Sequence, residues 1–161
     1  MSIAGIDFSS RAVHIVLLDD DTDDAMLHVF ELHGATPFER ARSLRRSFPT
    51  RGFWEDNGVY LVGIEDPHSR ANHTAKALGL AAGAIAGLLP NGLPVVQTVP
   101  AEWHRIFTGT AGASKETVGL HARAIWPDHP AEGDDNAWDA YGIAYAVRTL
   151  NNQAIQKAGA A

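Results

Sequence analysis

The 161-residue chain contains no cysteine. That absence excludes a disulfide-stapled scaffold and a thiolate zinc site, fits a reducing compartment, and leaves any metal to carboxylates and histidines. Long apolar runs are missing too: 18 consecutive apolar residues occur nowhere, and the N-terminus, MSIAGIDF, has no basic segment followed by an apolar core. The expectation is a soluble, cytoplasmic protein with no membrane partner. Positive charge is scarce, with 13 Lys and Arg against 19 Asp and Glu and a formal net charge of -6. This argues against a protein that coats itself uniformly with nucleic acid, because phosphate binding draws on Lys and Arg. The distribution still permits a basic face, since Arg40, Arg42, Arg45, Arg46 and Arg51 fall close together while Asp19, Asp20, Asp21, Asp23 and Asp24 crowd one turn.

What is present is ordinary globular material, 45% apolar and 20% charged. A chain of this length buries about two-thirds of its unfolded surface, and a single domain over residues 1–150 is expected, followed by a flexible tail at 151–161. The organising stretch is IAGIDFSSRAVHIVLLDD at the start. Ile3, Ala4 and Ile6 read as a buried strand, Phe8, Ser9 and Ser10 as a tight reversal, and residues 12–18 as its aliphatic partner. Asp7 stands at the end of the first strand. A lone Asp there ordinarily organises a turn through its own backbone. Buried, it has to be paired, hydrated or metal-bound.

Further along, residues 26–32 return as a third strand ended by Gly34, and Thr36 with Pro37 opens a helix. The arginines of that helix read either as a solvated surface or as a phosphate-facing patch. Residues 49–58 read as a loop whose Phe53 and Trp54 either cap the core or stack on bases. Residues 59–65 (VYLVGIE) form a fourth strand, apolar on both faces and ending on Glu65. A long helix capped by Asn72 or Thr74 runs to about residue 89. Its Gly79, Gly83 and Gly87 recur every fourth residue at a cost of about 1 kcal/mol each relative to Ala, which calls for close approach of another backbone: the chain's own sheet or a second subunit. Residues 93–99 form a fifth, parallel strand reached by that crossover. Short helices follow over 101–107 and 115–126, the latter capped by Ser114, which puts Lys115 beside free amides at a helix start. Asp134 or Asp135 opens the last helix.

This order predicts an α/β fold with a mixed five-stranded sheet, a three-stranded antiparallel meander plus two parallel strands, flanked by helices. In such a sheet the first and fourth strands are neighbours, so Asp7 and Glu65 end side by side. Asp135 and Asp139, four residues apart, share one face of the last helix. Four converging carboxylates repel one another unless divalent cations neutralise them, and all-oxygen donors suit Mg²⁺ and Mn²⁺. Two such ions about 4 Å apart serve phosphodiester hydrolysis.

GIDFSS, VGIEDP, ASKETV and DDNAWDAYGIA, in that order and spacing, resemble the RuvC-type Holliday-junction resolvases of the ribonuclease-H-like nuclease superfamily over residues 2–150. The resemblance implies a dimeric, magnesium-dependent endonuclease that cuts branched DNA symmetrically, four-way junctions first, with forks and flaps as further substrates. Asp7, Glu65 and Asp139 match the family's acids. The family's fourth ligand precedes the last acid by three, where this chain has Asn136; Asp135 is the alternative. Lys115 resembles the lysine near the scissile phosphate, and the glycine-rich helix occupies the position of the dimer-forming helix. Where cellular members carry an aromatic wedge this chain has His68, followed by Arg70, His73 and Lys76 as further candidates for DNA contact. The compact form and the DDNAWDA variant are more similar to a bacteriophage member.

Two other classes compete. GIDFSS before a hairpin also resembles the phosphate loop of actin-like and sugar-kinase ATP-binding domains, but no second phosphate loop occurs. A catalytically idle branched-DNA-binding subunit is the other, and retention of the acids weighs against it. Within the nucleases, a ribonuclease H or an exonuclease shares the acid pattern and is separated by dimerisation and branched-substrate preference.

Overall fold

The computed structural model describes residues 1–66, 72–127 and 134–160, the side chains of 72–76 excepted. Its first three strands, β1 (Ser2–Phe8), β2 (Ala12–Asp19) and β3 (Ala25–Glu31), form the expected meander. Helices α1 (Pro37–Ser47) and α2 (Arg51–Asp56) precede β4 (Val59–Glu65). The crossover helix α3 (Asn72–Leu88) leads to β5 (Val95–Thr98), and α4 (Pro100–Thr108), α5 (Lys115–Ile125) and α6 (Asp135–Gly159) complete the order. The sheet runs β3-β2-β1-β4-β5. β1 is antiparallel to β2 and parallel to β4, and β4 is parallel to β5.

Local chemistry sets the boundaries. Thr36 and Glu39 form a reciprocal capping box, with Pro37 at the first helical position of α1. Gly109 ends α4 in the left-handed region at φ 82°, a conformation that a side chain disfavours. Because side chains alternate across a strand, Ala4, Ile6 and Phe8 of β1 join Val13, Ile15 and Leu17 of β2 on one face, under Leu44 of α1 and Leu78 and Ile85 of α3. Val16 and Leu18 project to the other face, against Trp103, Phe107, Val118 and the apolar stripe of α6. On that second face α6 lies directly on the sheet: a β-carbon at Gly5 would come 2.0 Å from the Ala140 carbonyl oxygen, and one at Gly63 would come 2.6 Å from Val147. These two strand glycines let the helix that carries the last acids settle against β1 and β4.

One expectation changes and two open choices close. Residues 49–58 are not simply a loop, because α2 occupies their middle; Trp54 is buried in the core and the half-buried Phe53 packs against it, so both cap the core. Helix-forming Gln, Ala, Ile and Lys carry α6 on to Gly159 as an exposed arm past its buried stretch. Of the two readings of the α3 glycine stripe, packing on the chain's own sheet is set aside: β-carbons added at Gly79, Gly83 and Gly87 would meet none of the described residues within 4 Å, while Leu78, Ala81 and Ile85 make the inward contacts.

Candidate active site

Ile6 of β1 pairs with Ile64 of β4, so the two parallel strands deliver Asp7 and Glu65 to the same end of the sheet. Asp7 alternates to the face of Gly5, under the start of α6, and is only 8% exposed. Burial pushes its carboxyl up to about 8, and the charges of Asp139 and Glu65 push in the same direction; the Phe8 amide and the Lys115 ammonium oppose them. Glu65 has a fixed orientation, because Nε1 of the buried Trp103 on α4 donates to its Oε2 at 3.0 Å.

The third element is the beginning of α6. Asp134 is its N-cap, with Oδ1 accepting from the Asn136 amide at 3.1 Å and the Ala137 amide at 3.4 Å. Asp135 and Asp139 follow, one helical turn apart, and both face Lys115, whose Nζ lies 3.8 Å from Asp135 Oδ2 and 3.9 Å from Asp139 Oδ2. Lys115 is the first residue of α5, after the cap in which Ser114 accepts from the Thr117 amide. Asp135 is half exposed and Asp139 much less so. The structure thus gathers Asp7, Glu65, Asp135, Asp139 and Lys115 at one end of the sheet. Asn136 sits in the same turn, half-buried.

No family model and no curated protein matches this sequence. Solved structures do match. The Thermus thermophilus RuvC structure superposes with a TM-score of 0.74 at 22% identity, covering 95% of this chain and 97% of that one. T. thermophilus RuvC in complex with Holliday junction substrate gives 0.72 at 24% identity over 91% and 92% of the two chains. The Fowlpox virus resolvase, solved with its substrate Holliday junction DNA, gives 0.53 at 12% identity over 93% and 98%. The chain has the ribonuclease-H-like fold.

Within that ribonuclease-H-like frame the donor set suits a hard cation. It consists of carboxylate oxygens, with two acids raising the proton affinity of a third that is buried, an arrangement that positive charge relieves. Among the described residues no three Asp, Glu or His side chains already stand close enough to share an ion. Lys115 brings one positive charge within 4 Å of two of them. His68 and Arg70 lie outside the described residues, as do the side chains of His73 and Lys76, both of which belong to α3.

Reading the sequence left out three residues of this neighbourhood. Trp103, which holds Glu65, leaves no local signal, being one more apolar position of a short amphipathic helix. His14 is buried on β2 directly opposite Asp7, and its Nε2 lies 2.9 Å from Asp134 Oδ2. The strand alternation that puts Val16 and Leu18 beneath α6 also puts His14 there, so its face, though not its partner, was legible. For Asp134 the sequence points to the start of the helix and to no bond with His14.

Proposed function

We propose that this chain is a metal-dependent, structure-selective DNA endonuclease that resolves four-way junctions and also cuts forks and flaps. The observation that carries the reading is Asp7: a buried carboxyl at the end of a central strand, raised to about 8 by burial and by Asp139 and Glu65. A fold has little reason to keep such a group unless its charge is used. The ribonuclease-H-like architecture, shared with proteins solved on Holliday junction DNA, supports the substrate class.

In this reading Asp7, Glu65 and Asp139 hold Mg²⁺, or Mn²⁺ in its place, with Asp135 as fourth acid and Asn136 as its neutral alternative. Two bound ions supply an activated water and charge neutralisation at the leaving oxygen of a phosphodiester. The chain's own residues do the rest. Trp103 keeps the Glu65 carboxylate turned toward the site. Lys115, on a helix start whose free amides favour anions, draws the scissile phosphate against Asp135 and Asp139. His68, Arg70, His73 and Lys76, which follow Glu65 in the sequence, are the proposed DNA contacts. A bacteriophage source rests only on the compact form and the DDNAWDA segment, since these solved neighbours are bacterial and poxviral.

Paired cuts across a junction need two sites at a fixed separation, hence a two-fold homodimer. The outward stripe of Gly79, Gly83 and Gly87 supports α3 as that interface. Gly83→Leu is expected to give a folded monomer, with circular dichroism retained, light-scattering mass halved and simultaneous nicking lost. A still dimeric protein removes α3 from the interface.

The deciding experiment is a gel assay of the purified protein on a four-way junction, a flap, a fork and linear duplex, with Mg²⁺ and with EDTA. Symmetric, Mg²⁺-dependent cuts on the junction with linear duplex spared are expected. Binding without cleavage in either Mg²⁺ or Mn²⁺ favours the idle DNA-binding subunit.

A further inference from the structure

His14 is a polar side chain in an apolar setting. It is 3% exposed, its strand neighbours on the same face are Val16 and Leu18, and its Nδ1 is buried with no hydrogen-bond partner among the described residues. An apolar side chain would satisfy that position at lower cost, because a buried nitrogen without a partner is destabilising. What His14 does possess is a part-buried bond, from Nε2 to Asp134 Oδ2 at 2.9 Å, joining residues 120 apart in sequence. An ionised carboxylate only accepts, so Nε2 carries the hydrogen.

Asp134 divides its two oxygens. Oδ1 takes the amides of Asn136 and Ala137 and starts α6; Oδ2 is held by a ring rooted in the sheet directly across from Asp7. Capping alone needs only the first oxygen, and Ser, Thr or Asn would serve equally well. The second oxygen ties the helix start to the strand pair that carries Asp7. Asp135 is the next residue, and Asp139 lies one turn on.

We infer that His14 is a positioning residue which, through Asp134, fixes the start of α6 against the sheet and so aims Asp135 and Asp139 at Asp7 and Glu65. This role rests on the nuclease reading, since it presupposes that those acids act together. The ring touches neither DNA nor a bound ion in this assignment; it acts through the helix.

The test uses the full chain as His14→Leu, His14→Gln and Asp134→Ser, with the double variant His14→Leu/Asp134→Ser. Four quantities are read: amide exchange at Asn136 and Ala137 without metal, Mn²⁺ affinity by calorimetry, junction affinity, and single-turnover cleavage. In His14→Leu the two amides exchange faster, while Mn²⁺ affinity and cleavage rate each fall about 10–100-fold, the range for removing a group that orients a ligand. Junction affinity stays within about threefold, because phosphate contacts lie elsewhere. Glutamine, whose amide nitrogen reaches about as far as Nε2, restores most of both losses. Asp134→Ser keeps a cap but is too short for the ring, so it reproduces His14→Leu, and the double variant is no worse than either single one. Wild-type Mn²⁺ affinity and cleavage in His14→Leu overturn the inference, as do additive losses in the double variant. If His14→Leu fails to fold, His14→Gln and Asp134→Ser still decide: equal losses in both overturn it. A wild-type protein that neither binds Mn²⁺ nor cuts any substrate overturns the nuclease reading and this role with it, whereas an active wild type with an indifferent His14→Leu overturns this role alone.

Discussion

Acidic residues crowd two places in this molecule, and the protein treats them in opposite ways. In the β2–β3 hairpin Asp19, Asp20 and Asp23 each have a carboxylate oxygen held by a donor. Asp19 Oδ1 accepts from the Asp21 and Thr22 amides at 2.9 and 3.0 Å, which hold its carboxyl below the usual range. Asp20 accepts from Tyr60 at 2.9 Å, and Asp23 pairs with Arg148. At the other end of the sheet Asp7 is buried and its two acidic neighbours raise it instead. Charge density in the sequence is greater in the hairpin, yet hydrogen bonds and solvent quiet it there. Acids that the fold satisfies organise a turn; acids that the fold brings together without satisfying them mark a site.

The contrast breaks most visibly in activity. Asp7→Asn, Glu65→Gln and Asp139→Asn are each expected to lower junction cleavage at least about a thousandfold with binding retained or tightened, while Asp19→Asn cuts normally. Gel cleavage and a filter-binding assay read the two halves. Near wild-type turnover in any of the first three would put the site elsewhere.

A smaller loss separates the candidates for the fourth ligand. Asp135→Asn should cost roughly a hundredfold in cleavage rate, and Asn136→Ala less, because a charged oxygen binds a hard cation better than an amide. The reverse ranking gives the position to Asn136. Trp103→Phe, which removes the N–H that orients Glu65 together with part of a buried ring, should cost about tenfold in cleavage and show as a higher Mg²⁺ requirement. An unchanged Mg²⁺ titration would make that hydrogen bond merely structural.

Thermal melts in EDTA give the last contrast, where the two acidic regions shift stability with opposite sign. Asp7 binds its proton more tightly folded than unfolded, so its contribution is most favourable at low pH and is lost as pH rises from the unfolded value of 3.8 toward about 8. Asp7→Asn should therefore raise Tm, by an amount that grows between pH 5 and pH 8 and corresponds to a few kcal/mol, roughly, at the upper end. Asp19 is lowered, so its support is present at neutral pH and disappears as pH falls through its folded value. Asp19→Asn should lower Tm slightly at pH 7 and not at all in strong acid. Equal pH profiles for the two variants would mean that Asp7 is not under the strain described.

Much of this protein is local and so could be read along the chain. Short continuous apolar runs specify β1, β2 and β4; the Thr36, Ser114 and Asp134 caps mark helix starts; and the parallel crossover makes β1 and β4 neighbours, which by itself brings Asp7 beside Glu65. Each of these is enforced by residues within a few positions of one another, or by the geometry of a right-handed crossover. Three decisions were made only by the folded chain. Whether α3 turns its glycines inward or outward depended on Leu78, Ala81 and Ile85 winning the contact with the sheet. How deeply Asp7 is buried depended on how closely α6 settles on Gly5 and Gly63. The hydrogen bonds that aim the acids, Trp103 to Glu65 and His14 to Asp134, join residues 38 and 120 positions apart. A bond across such a distance imposes no periodicity and no composition on the sequence near either partner, and so exists only once the sheet and its covering helices have closed around it.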